Sequence, residues 1–212
     1  MEHKFNEQLE KDKYWIEKDF VPKNILSLCQ TYYPIKFFVK KDFEIQMGKL
    51  HHSEPDIVQP YSVKSYADPL SESLLAFFLE DIRRITGIPK LRESYSFVRL
   101  YETGQWLEPH RDRPSCQYSI TLPLVQYDDT PWTIYVNDAA VDLNVGDMVI
   151  YKGCEATHSR KPFEGKYQVQ AHLHYVDGGE EAYYPHILDG RNSLGEVPES
   201  STLLQERLVR TY

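Results

Sequence analysis

Between residues 94 and 176 the sequence repeatedly alternates apolar and polar side chains with a period of two. The alternation is carried by the runs 94–101, 116–125, 132–136, 147–151 and 166–176, which Gly, Pro, Asp and Asn residues separate. Successive side chains of a β-strand point to opposite faces of a sheet, and these four residue types favour turns. The pattern therefore predicts an antiparallel β-domain in this part of the chain.

Two of the runs have one apolar and one polar face. In the run 166–175 the polar face holds Lys166, Gln168, Gln170, His172 and His174. In the run 117–124 it holds Gln117, Ser119, Thr121 and Pro123. Such a face either meets solvent or lines the inside of a barrel that holds a polar ligand, and the alternation alone leaves both interpretations open.

A helix is predicted over 71–86, where apolar residues at 74, 75, 78, 82 and 85 recur at helical spacing. Ser71 follows a proline and is expected to be the N-cap, and Gly87 with Pro89 should end the helix. We expect its apolar side to lie on the sheet, because an amphipathic helix is stable only when that side is covered.

The remaining segments are helical or loop-like. The residues of 22–32 favour a short helix, and 200–209 is compatible with another. A chain of 212 residues is long enough for one domain with a sizeable core. We therefore expect a single domain with a helical part at 1–90, a β-core at 94–177 and a C-terminal tail at 178–212.

Composition narrows the partners and the compartment. The formal net charge is −8, from 24 basic and 32 acidic residues, so no general positive field favours nucleic acid or anionic lipid. Three cysteines form no paired short spacing, which is typical of a reducing compartment. No run approaches the roughly 18 apolar residues of a membrane span. These features predict a cytoplasmic protein that is not bound to a membrane.

A His-x-Asp triplet, His110-Arg-Asp112, lies between two of the predicted strands. About 0.5 such triplets are expected by chance in this composition, so the triplet needs its context. In an extended segment the two side chains point the same way and can meet one ion. His158 follows another strand-like run, which would return the chain to the barrel, and is the candidate third ligand.

Two imidazoles and one carboxylate suit non-haem iron(II), because they leave coordination positions open for a cosubstrate and dioxygen. Cys116 and Cys154 lie near His110 and His158 in the sequence, so a zinc site with thiolate ligands is an alternative. The third interpretation is that the histidines have no metal-binding role. A bound metal inside the domain favours the barrel interpretation of the polar strand faces.

These residues resemble the Fe(II)/2-oxoglutarate-dependent dioxygenases, and within them the prolyl-hydroxylase-like branch. The resemblance covers about 94–177 and rests on the strand 96–101, the turn that ends at Gly104, the triplet and the distal His158. It implies a mainly β fold with flanking helices: a double-stranded β-helix, or cupin-like jelly roll, whose larger sheet is covered by the N-terminal helices. It also implies that His110, Asp112 and His158 bind iron.

The resemblance further implies that 2-oxoglutarate chelates the metal and that a basic residue at the start of the last strand holds its far carboxylate. Counting back from the end of that strand places this position on Gln168, whereas counting forward from Gly165 places it on Lys166. A buried carboxylate needs a cation or several hydrogen bonds, so we favour Lys166, with Arg160 as the rival. Tyr101 matches a family tyrosine that hydrogen-bonds the same carboxylate.

The predicted function is hydroxylation of a C–H bond in a peptidyl or small-molecule substrate, coupled to oxidative decarboxylation of 2-oxoglutarate with dioxygen. Two alternatives are a different cupin-like metalloenzyme, such as an isomerase or a hydrolase, and a metal-free binding module on the same barrel. The side chains that could orient a substrate near the metal are Arg99, Arg113, Gln170, His172 and His174. The Tyr-rich segment 181–186 is expected to be a packed tail rather than a lid.

Overall fold

The structure, a computed structural model, describes residues 6–46, 58–59 and 62–195. The described residues form four α-helices: α1 (Glu7–Asp12), α2 (Lys23–Gln46), α3 (Pro69–Phe77) and α4 (Leu79–Thr86). Two stretches of 3-10 helix follow, at Pro114–Cys116 and at Glu181–Gly190. Among the described helices, none combines the length and the hydropathy needed to cross a bilayer.

Two antiparallel sheets form the β-core. The strands of the larger sheet, in spatial order, are β1 (Tyr14–Glu17), β9 (Met148–Tyr151), β6 (Tyr118–Gln126), β11 (Tyr167–Asp177), β4 (Leu91–Glu102) and β3 (Lys64–Tyr66). Those of the smaller sheet are β2 (Val58–Gln59), β5 (Trp106–His110), β10 (His158–Arg160), β7 (Ile134–Val136) and β8 (Ala139–Val141). Each of the five predicted runs contains a strand, and the predicted jelly-roll fold with flanking helices is confirmed.

The apolar face of the larger sheet forms the main core with the helices. It contributes Val169, Ala171, Leu173 and Tyr175 from β11, which pack in one cluster with the inward side chains of α2, α3 and α4. Tyr175 also donates its hydroxyl to the carbonyl oxygen of Leu75, at 2.7 Å. Each fully buried Leu, Ile or Phe side chain contributes about 1.5–3 kcal/mol, so this layer is the principal source of stability.

The helix predicted over 71–86 lies on this sheet, as expected, but its bounds differ. The chain forms two helices, α3 and α4, that meet at Phe78, and the N-cap is Asp68 rather than Ser71. The Asp68 carboxylate accepts hydrogen bonds from the backbone N–H groups of Leu70 and Ser71, at 3.1 and 3.2 Å. Pro69 takes the first helical position, where its missing N–H costs nothing. Gly87 ends α4 in the left-handed conformation, as predicted.

The helix predicted over 22–32 continues to Gln46. Buried side chains recur at every fourth position at Cys29, Tyr33 and Phe37, and their packing outweighs the cost of about 3 kcal/mol that a proline such as Pro34 carries in a helix interior. The helix predicted over 200–209 falls outside the described residues.

A buried carboxylate, Asp147, ties the N-terminal strand to the turn before β9. It accepts hydrogen bonds from the backbone N–H groups of Asp19 and Asn144, at 3.0 and 2.7 Å. It also forms an ion pair with Lys18 at 2.9 Å. Burial would raise the pKa of Asp147, but these partners outweigh it and lower the pKa below its ordinary value.

We expect the substitution Asp147→Asn to lower the free energy of unfolding by about 1–3 kcal/mol at neutral pH, because an amide cannot replace the charge-assisted hydrogen bonds. A carboxyl group with a lowered folded-state pKa stabilises the protein above its unfolded-state pKa, and this contribution is lost as the pH falls through the folded-state pKa. Urea unfolding should therefore show a difference in the free energy of unfolding between the wild type and Asp147→Asn. This difference should be constant near neutral pH and should shrink below about pH 4. Asp138→Asn, at an exposed turn position, is the control and should change stability little at either pH.

Candidate metal centre

The antiparallel pairing of β5 with β10 brings His110 and His158 together. The two residues are register partners, so their side chains project from the same face of the smaller sheet. Their ring centroids are 4.1 Å apart. Asp112 lies in the loop after β5, and its Oδ1 is 3.5 Å from His110 Nε2 and 3.6 Å from His158 Nε2. The three predicted ligands thus present three donor atoms to one point.

Each histidine is oriented by a backbone carbonyl. His110 Nδ1 lies 2.8 Å from the carbonyl oxygen of Glu108, and His158 Nδ1 lies 3.1 Å from that of Ala156. Because a carbonyl oxygen only accepts, each Nδ1 carries a proton, which leaves Nε2 as the nitrogen that can bind a metal ion. This second contact is typical of metal-ligating histidines and fits the donor set to a divalent ion.

Asp112 is held by the strand on the opposite wall. Its Oδ2 accepts the Ser119 hydroxyl at 2.7 Å, and its backbone N–H donates to the carbonyl oxygen of Gly153 at 2.9 Å. Ser119 Oγ lies 3.0 Å from His174 Nδ1, on the neighbouring strand β11. The carboxylate therefore keeps one oxygen in the protein network and turns the other towards the two imidazoles.

The protonation states suit metal binding. Burial would raise the pKa of Asp112, but His158, His110 and His174 outweigh it and hold the pKa well below its usual range. Burial lowers the pKa of His158 below its ordinary value. The carboxylate is ionised and the imidazole neutral at neutral pH, which are the forms that bind a metal ion.

A second group of possible ligands, Asp112, Cys116 and His174, lies behind the first and shares its carboxylate. The Cys116 thiol is buried and lies 3.1 Å from the Tyr95 hydroxyl. Burial raises the pKa of Cys116 well above its ordinary value. Cys154 is hydrogen-bonded to the carbonyl oxygen of Arg113 and its pKa is raised to about 11, again chiefly by burial. Each thiol thus has a protein partner, and neither cysteine belongs to the group formed by His110, Asp112 and His158.

Behind the ligands the polar strand faces form the lining of the barrel. Gln168, Gln170 and His174 are buried there. An amide chain runs along this lining, because Gln168 donates to Gln126 at 2.7 Å and Gln170 donates to Gln168. Because these side chains are buried, the polar faces line the interior of the barrel and do not form a solvated surface.

Arg160 lies in this lining, two residues after His158 on β10. It is 4% exposed, and its guanidinium stacks on Trp132 at 4.5 Å from the ring centroid. It donates to the Trp132 carbonyl oxygen and, at 3.1 Å, to Gln170 Oε1. No carboxylate within the described residues is in ion-pair distance of it, and burial lowers its pKa to about 10. Arg160 is a buried cation held by neutral groups.

Tyr101, His172 and Arg99 also face the interior from β4 and β11. The Tyr101 hydroxyl lies 3.3 Å from His172 Nε2, and the other ring nitrogen of His172 lies 3.2 Å from Thr121 Oγ1. Burial lowers the pKa of His172 well below its ordinary value, so the ring is neutral. Arg99 is buried and donates to Ser62 Oγ at 2.6 Å.

Two predicted site residues lie elsewhere. Lys166 was placed on the inner face of the last strand, but β11 begins only at Tyr167, and Lys166 is exposed with its ammonium 3.9 Å from the ring centroid of Tyr127. Its backbone N–H is bound to Asp128, which keeps the residue in the preceding turn. Arg113 is engaged by the C-terminal segment, because it pairs with Asp189 at 2.7 Å.

Three residues of the site are not predicted from the sequence to have a functional role. Ser119 was recognised only as part of a polar face, although it holds the Asp112 carboxylate. Gly153 and Trp132 gave no recognisable motif, because their roles depend on chain segments that meet only in the folded protein.

Comparisons with known proteins identify the fold. No protein-family model matches the sequence, and the search of curated proteins finds no significant match. Solved structures do match. A prolyl-4-hydroxylase from Pseudomonas putida is similar with a TM-score of 0.56 at 15% identity, over 81% of this chain and 96% of that one.

Two further structures have the same fold at lower identity. HygX from Streptomyces hygroscopicus, with nickel, 2-oxoglutarate and hygromycin B bound, matches with a TM-score of 0.54 at 11% identity, over 80% of this chain and 85% of that one. A prolyl hydroxylase from Trichoplax adhaerens, in complex with a hypoxia inducible factor peptide, matches with a TM-score of 0.52 at 11% identity, over 84% and 89%. The chain has the double-stranded β-helix fold of the 2-oxoglutarate oxygenases.

The close packing at Gly153 yields a prediction. A Cβ at this position would lie 2.5 Å from Asp112 Oδ2 and 2.7 Å from Ser119 Oγ, and would also press on the Cys116 carbonyl oxygen. We expect Gly153→Ala to displace the Asp112 carboxylate and to weaken Mn²⁺ binding about tenfold or more, as other changes behind metal ligands do. Calorimetric titration of the metal-free protein measures this.

Gly104→Ala provides the control for this variant. Gly104 has φ +84° and open space around it, so alanine there costs about 1–2 kcal/mol of stability through the backbone without approaching the ligands. Both variants should unfold at lower temperature, and only Gly153→Ala should lose metal affinity. Unchanged Mn²⁺ binding by Gly153→Ala would show that the carboxylate tolerates the intrusion.

Proposed function

We propose that this protein is an iron(II)- and 2-oxoglutarate-dependent oxygenase that hydroxylates a C–H bond of a peptidyl or small-molecule substrate. The observation that carries the proposal is the arrangement of His110, Asp112 and His158. Two imidazoles whose Nδ1 atoms donate to carbonyl oxygens, and one ionised carboxylate, converge on one point. Three ligands of this kind leave further coordination positions of an iron ion for a cosubstrate and dioxygen. The fold supports the proposal, since 2-oxoglutarate oxygenases share it.

For the far carboxylate of 2-oxoglutarate we propose Arg160 as the anchor. A buried guanidinium without a carboxylate partner is costly, and an incoming carboxylate would compensate it. Arg160 lies on the same strand as the ligand His158 and donates to Gln170, so it is on the barrel side of the metal centre. Its planar fork suits a carboxylate better than an ammonium does. Gln168 and Tyr101 flank this position as additional hydrogen-bonding groups.

When bound, iron(II) and 2-oxoglutarate supply the oxidative chemistry, in which dioxygen is consumed, the cosubstrate is decarboxylated to succinate and a C–H bond is hydroxylated. The chain's own part is to bind and orient. Both ring nitrogens of the neutral His172 are engaged, one by Tyr101 and one by Thr121, so the ring holds the Tyr101 hydroxyl in place without adding a charge. The Trp132 and Tyr101 rings, 4.7 Å apart, exclude water from the closed end of the barrel.

Both substrate classes have precedents among the similar structures, one with a peptide bound and one with a small molecule, hygromycin B, bound. We keep both in the proposal for this chain. Of the residues predicted to orient a substrate, Arg99, His172 and His174 line the interior, whereas Arg113 is engaged elsewhere.

Anaerobic titration of the Fe(II)-loaded protein with 2-oxoglutarate, followed by absorption spectroscopy or calorimetry, tests the proposal. We expect saturable binding with one 2-oxoglutarate per chain, and binding that is lost when Asp112 is replaced by Ala. A metalloenzyme that needs no cosubstrate, or a metal-free binding module, would show no metal-dependent 2-oxoglutarate binding. That result would sink the proposal.

The anchor is tested by a matched pair of variants. Arg160→Gln removes the buried cation and should weaken 2-oxoglutarate binding by about 1.5–3 kcal/mol, roughly 10- to 150-fold, as for other hydrogen bonds to charged groups. Mn²⁺ affinity should stay near the wild-type value, because Arg160 does not contact the ligands. Lys166→Gln removes an exposed cation that sequence counting also nominated, and it should leave 2-oxoglutarate binding unchanged. A loss in Lys166→Gln with none in Arg160→Gln would reverse the assignment.

A further inference from the structure

The C-terminal segment Glu181–Gly190 packs against the loop that carries the proposed ligand Asp112. It contacts β4, β11 and the 3-10 turn Pro114–Cys116. Asp189 is its buried residue, at 6% exposure. The Asp189 carboxylate accepts hydrogen bonds from both terminal nitrogens of Arg113, at 2.7 and 2.9 Å, and from the Tyr66 hydroxyl at 2.7 Å. A bidentate ion pair thus links the end of the described chain to the residue directly after Asp112.

Arg113 is held from several sides once this pair is formed. Its guanidinium lies 4.6 Å from the ring centroid of Tyr95 and donates to Ser115 Oγ at 2.7 Å. Its backbone carbonyl accepts the N–H of Cys116 at 2.9 Å. Tyr95 in turn lies 4.4 Å from the ring of His174, which contacts Ser119 behind the Asp112 carboxylate. Both the backbone and the hydrogen-bonding support of Asp112 therefore depend on where Arg113 sits.

The backbone of the segment indicates that the contact with Arg113 is specific. Leu188 and Asp189 both have φ +53°, a left-handed backbone conformation that residues other than glycine rarely adopt. Two consecutive residues of this kind persist only where the surroundings hold them. The conformation brings the Asp189 carboxylate under Arg113, and Ser115 is additionally tied to His186 of the same segment at 2.9 Å.

Charge gives a second reason why the pair matters to the site. Without Asp189, a largely buried guanidinium would stand unpaired one residue away from Asp112, the carboxylate that is to bind a divalent cation. An unpaired buried cation is costly, and Asp112 is the one carboxylate in the loop 111–117 that could replace Asp189 as its partner. Arg113 would then compete with the metal for the same carboxylate.

We propose that Asp189 is a positioning residue of the metal centre, acting through Arg113 to keep the Asp112 carboxylate oriented and available. The inference rests on the proposed function, since it assumes that Asp112 binds a metal ion. It assigns to the C-terminal segment a role in metal affinity beyond covering the sheet.

The same segment offers a matched control. Arg191 anchors it to the body of the protein through an ion pair with the buried Glu72, at 2.9 Å, and a hydrogen bond to the Ser94 carbonyl oxygen at 3.0 Å. Glu72 also accepts hydrogen bonds from Ser96 and from the backbone N–H of Gly195, so it is a different anchor from the Arg113–Asp189 pair. Arg191→Lys loosens the segment without unpairing Arg113, whereas Asp189→Asn unpairs Arg113 with little change of shape.

The experiment is a titration of the full-length, metal-free chain with Mn²⁺, followed by the electron paramagnetic resonance signal of the free ion, together with thermal unfolding of the metal-free protein. We expect Asp189→Asn to bind Mn²⁺ about tenfold or more weakly than the wild type. Arg191→Lys should lower the unfolding temperature and keep the wild-type affinity within about twofold. A purely structural role of Asp189 would not reduce the Mn²⁺ affinity of one variant while the other variant loses only stability.

Unchanged affinity in Asp189→Asn, or an equal loss in both variants, overturns the inference. If Asp189→Asn does not fold, Arg113→Lys is measured instead, since it keeps the charge and loses the bidentate fork; wild-type affinity in that variant likewise overturns it. Failure of the wild type itself to bind Mn²⁺ removes the metal centre and thus the proposed function, which distinguishes the two failures.

Discussion

The structure depends on strands that are buried on both faces. Helices cover the apolar face of these strands, and the interior of the barrel encloses the polar face. The apolar face of β11 and β6 packs on the helices, and the opposite face, with Gln170, His174 and Thr121, lines the inside of the barrel. Buried polar groups are tolerable only when they are hydrogen-bonded to each other or to a ligand. Hydrogen bonds within the lining, such as Gln170 to Gln168 and Ser119 to Asp112, meet this requirement, while the helices pack on the apolar face.

The two histidines come from the smaller sheet, and the Asp112 carboxylate is supported from the larger one. His110 and His158 are register partners on β5 and β10, and Asp112 is reached by Ser119 from β6 across the barrel. A shift of one residue in the β5–β10 pairing would turn one imidazole outward. The proposed centre therefore exists only when both sheets and the loop between them are in register, so metal binding and folding should be coupled.

Much of this could be predicted from the sequence, because it follows from local pattern. The period-two runs gave the strands and their faces, and the His-x-Asp spacing with a distal histidine gave three donors that the structure brings together. What could not be predicted depends on where an element begins or on distant pairings. Lys166 and Gln168 differ only by the start of β11, which Asp128 fixes from another strand's end. The pairing of Arg113 with Asp189 joins residues that no local pattern relates.

The central claim is that two imidazoles and one carboxylate, and no thiolate, hold a single divalent ion. X-ray absorption spectroscopy of the anaerobic Fe(II)-loaded protein measures the ligand set directly. The account predicts one iron per chain in a shell of nitrogen and oxygen donors that includes two histidines, at about 2.0–2.2 Å. Sulfur scattering at about 2.3 Å, which Cys116 or Cys154 would have to supply, or an iron site without histidine, would contradict it.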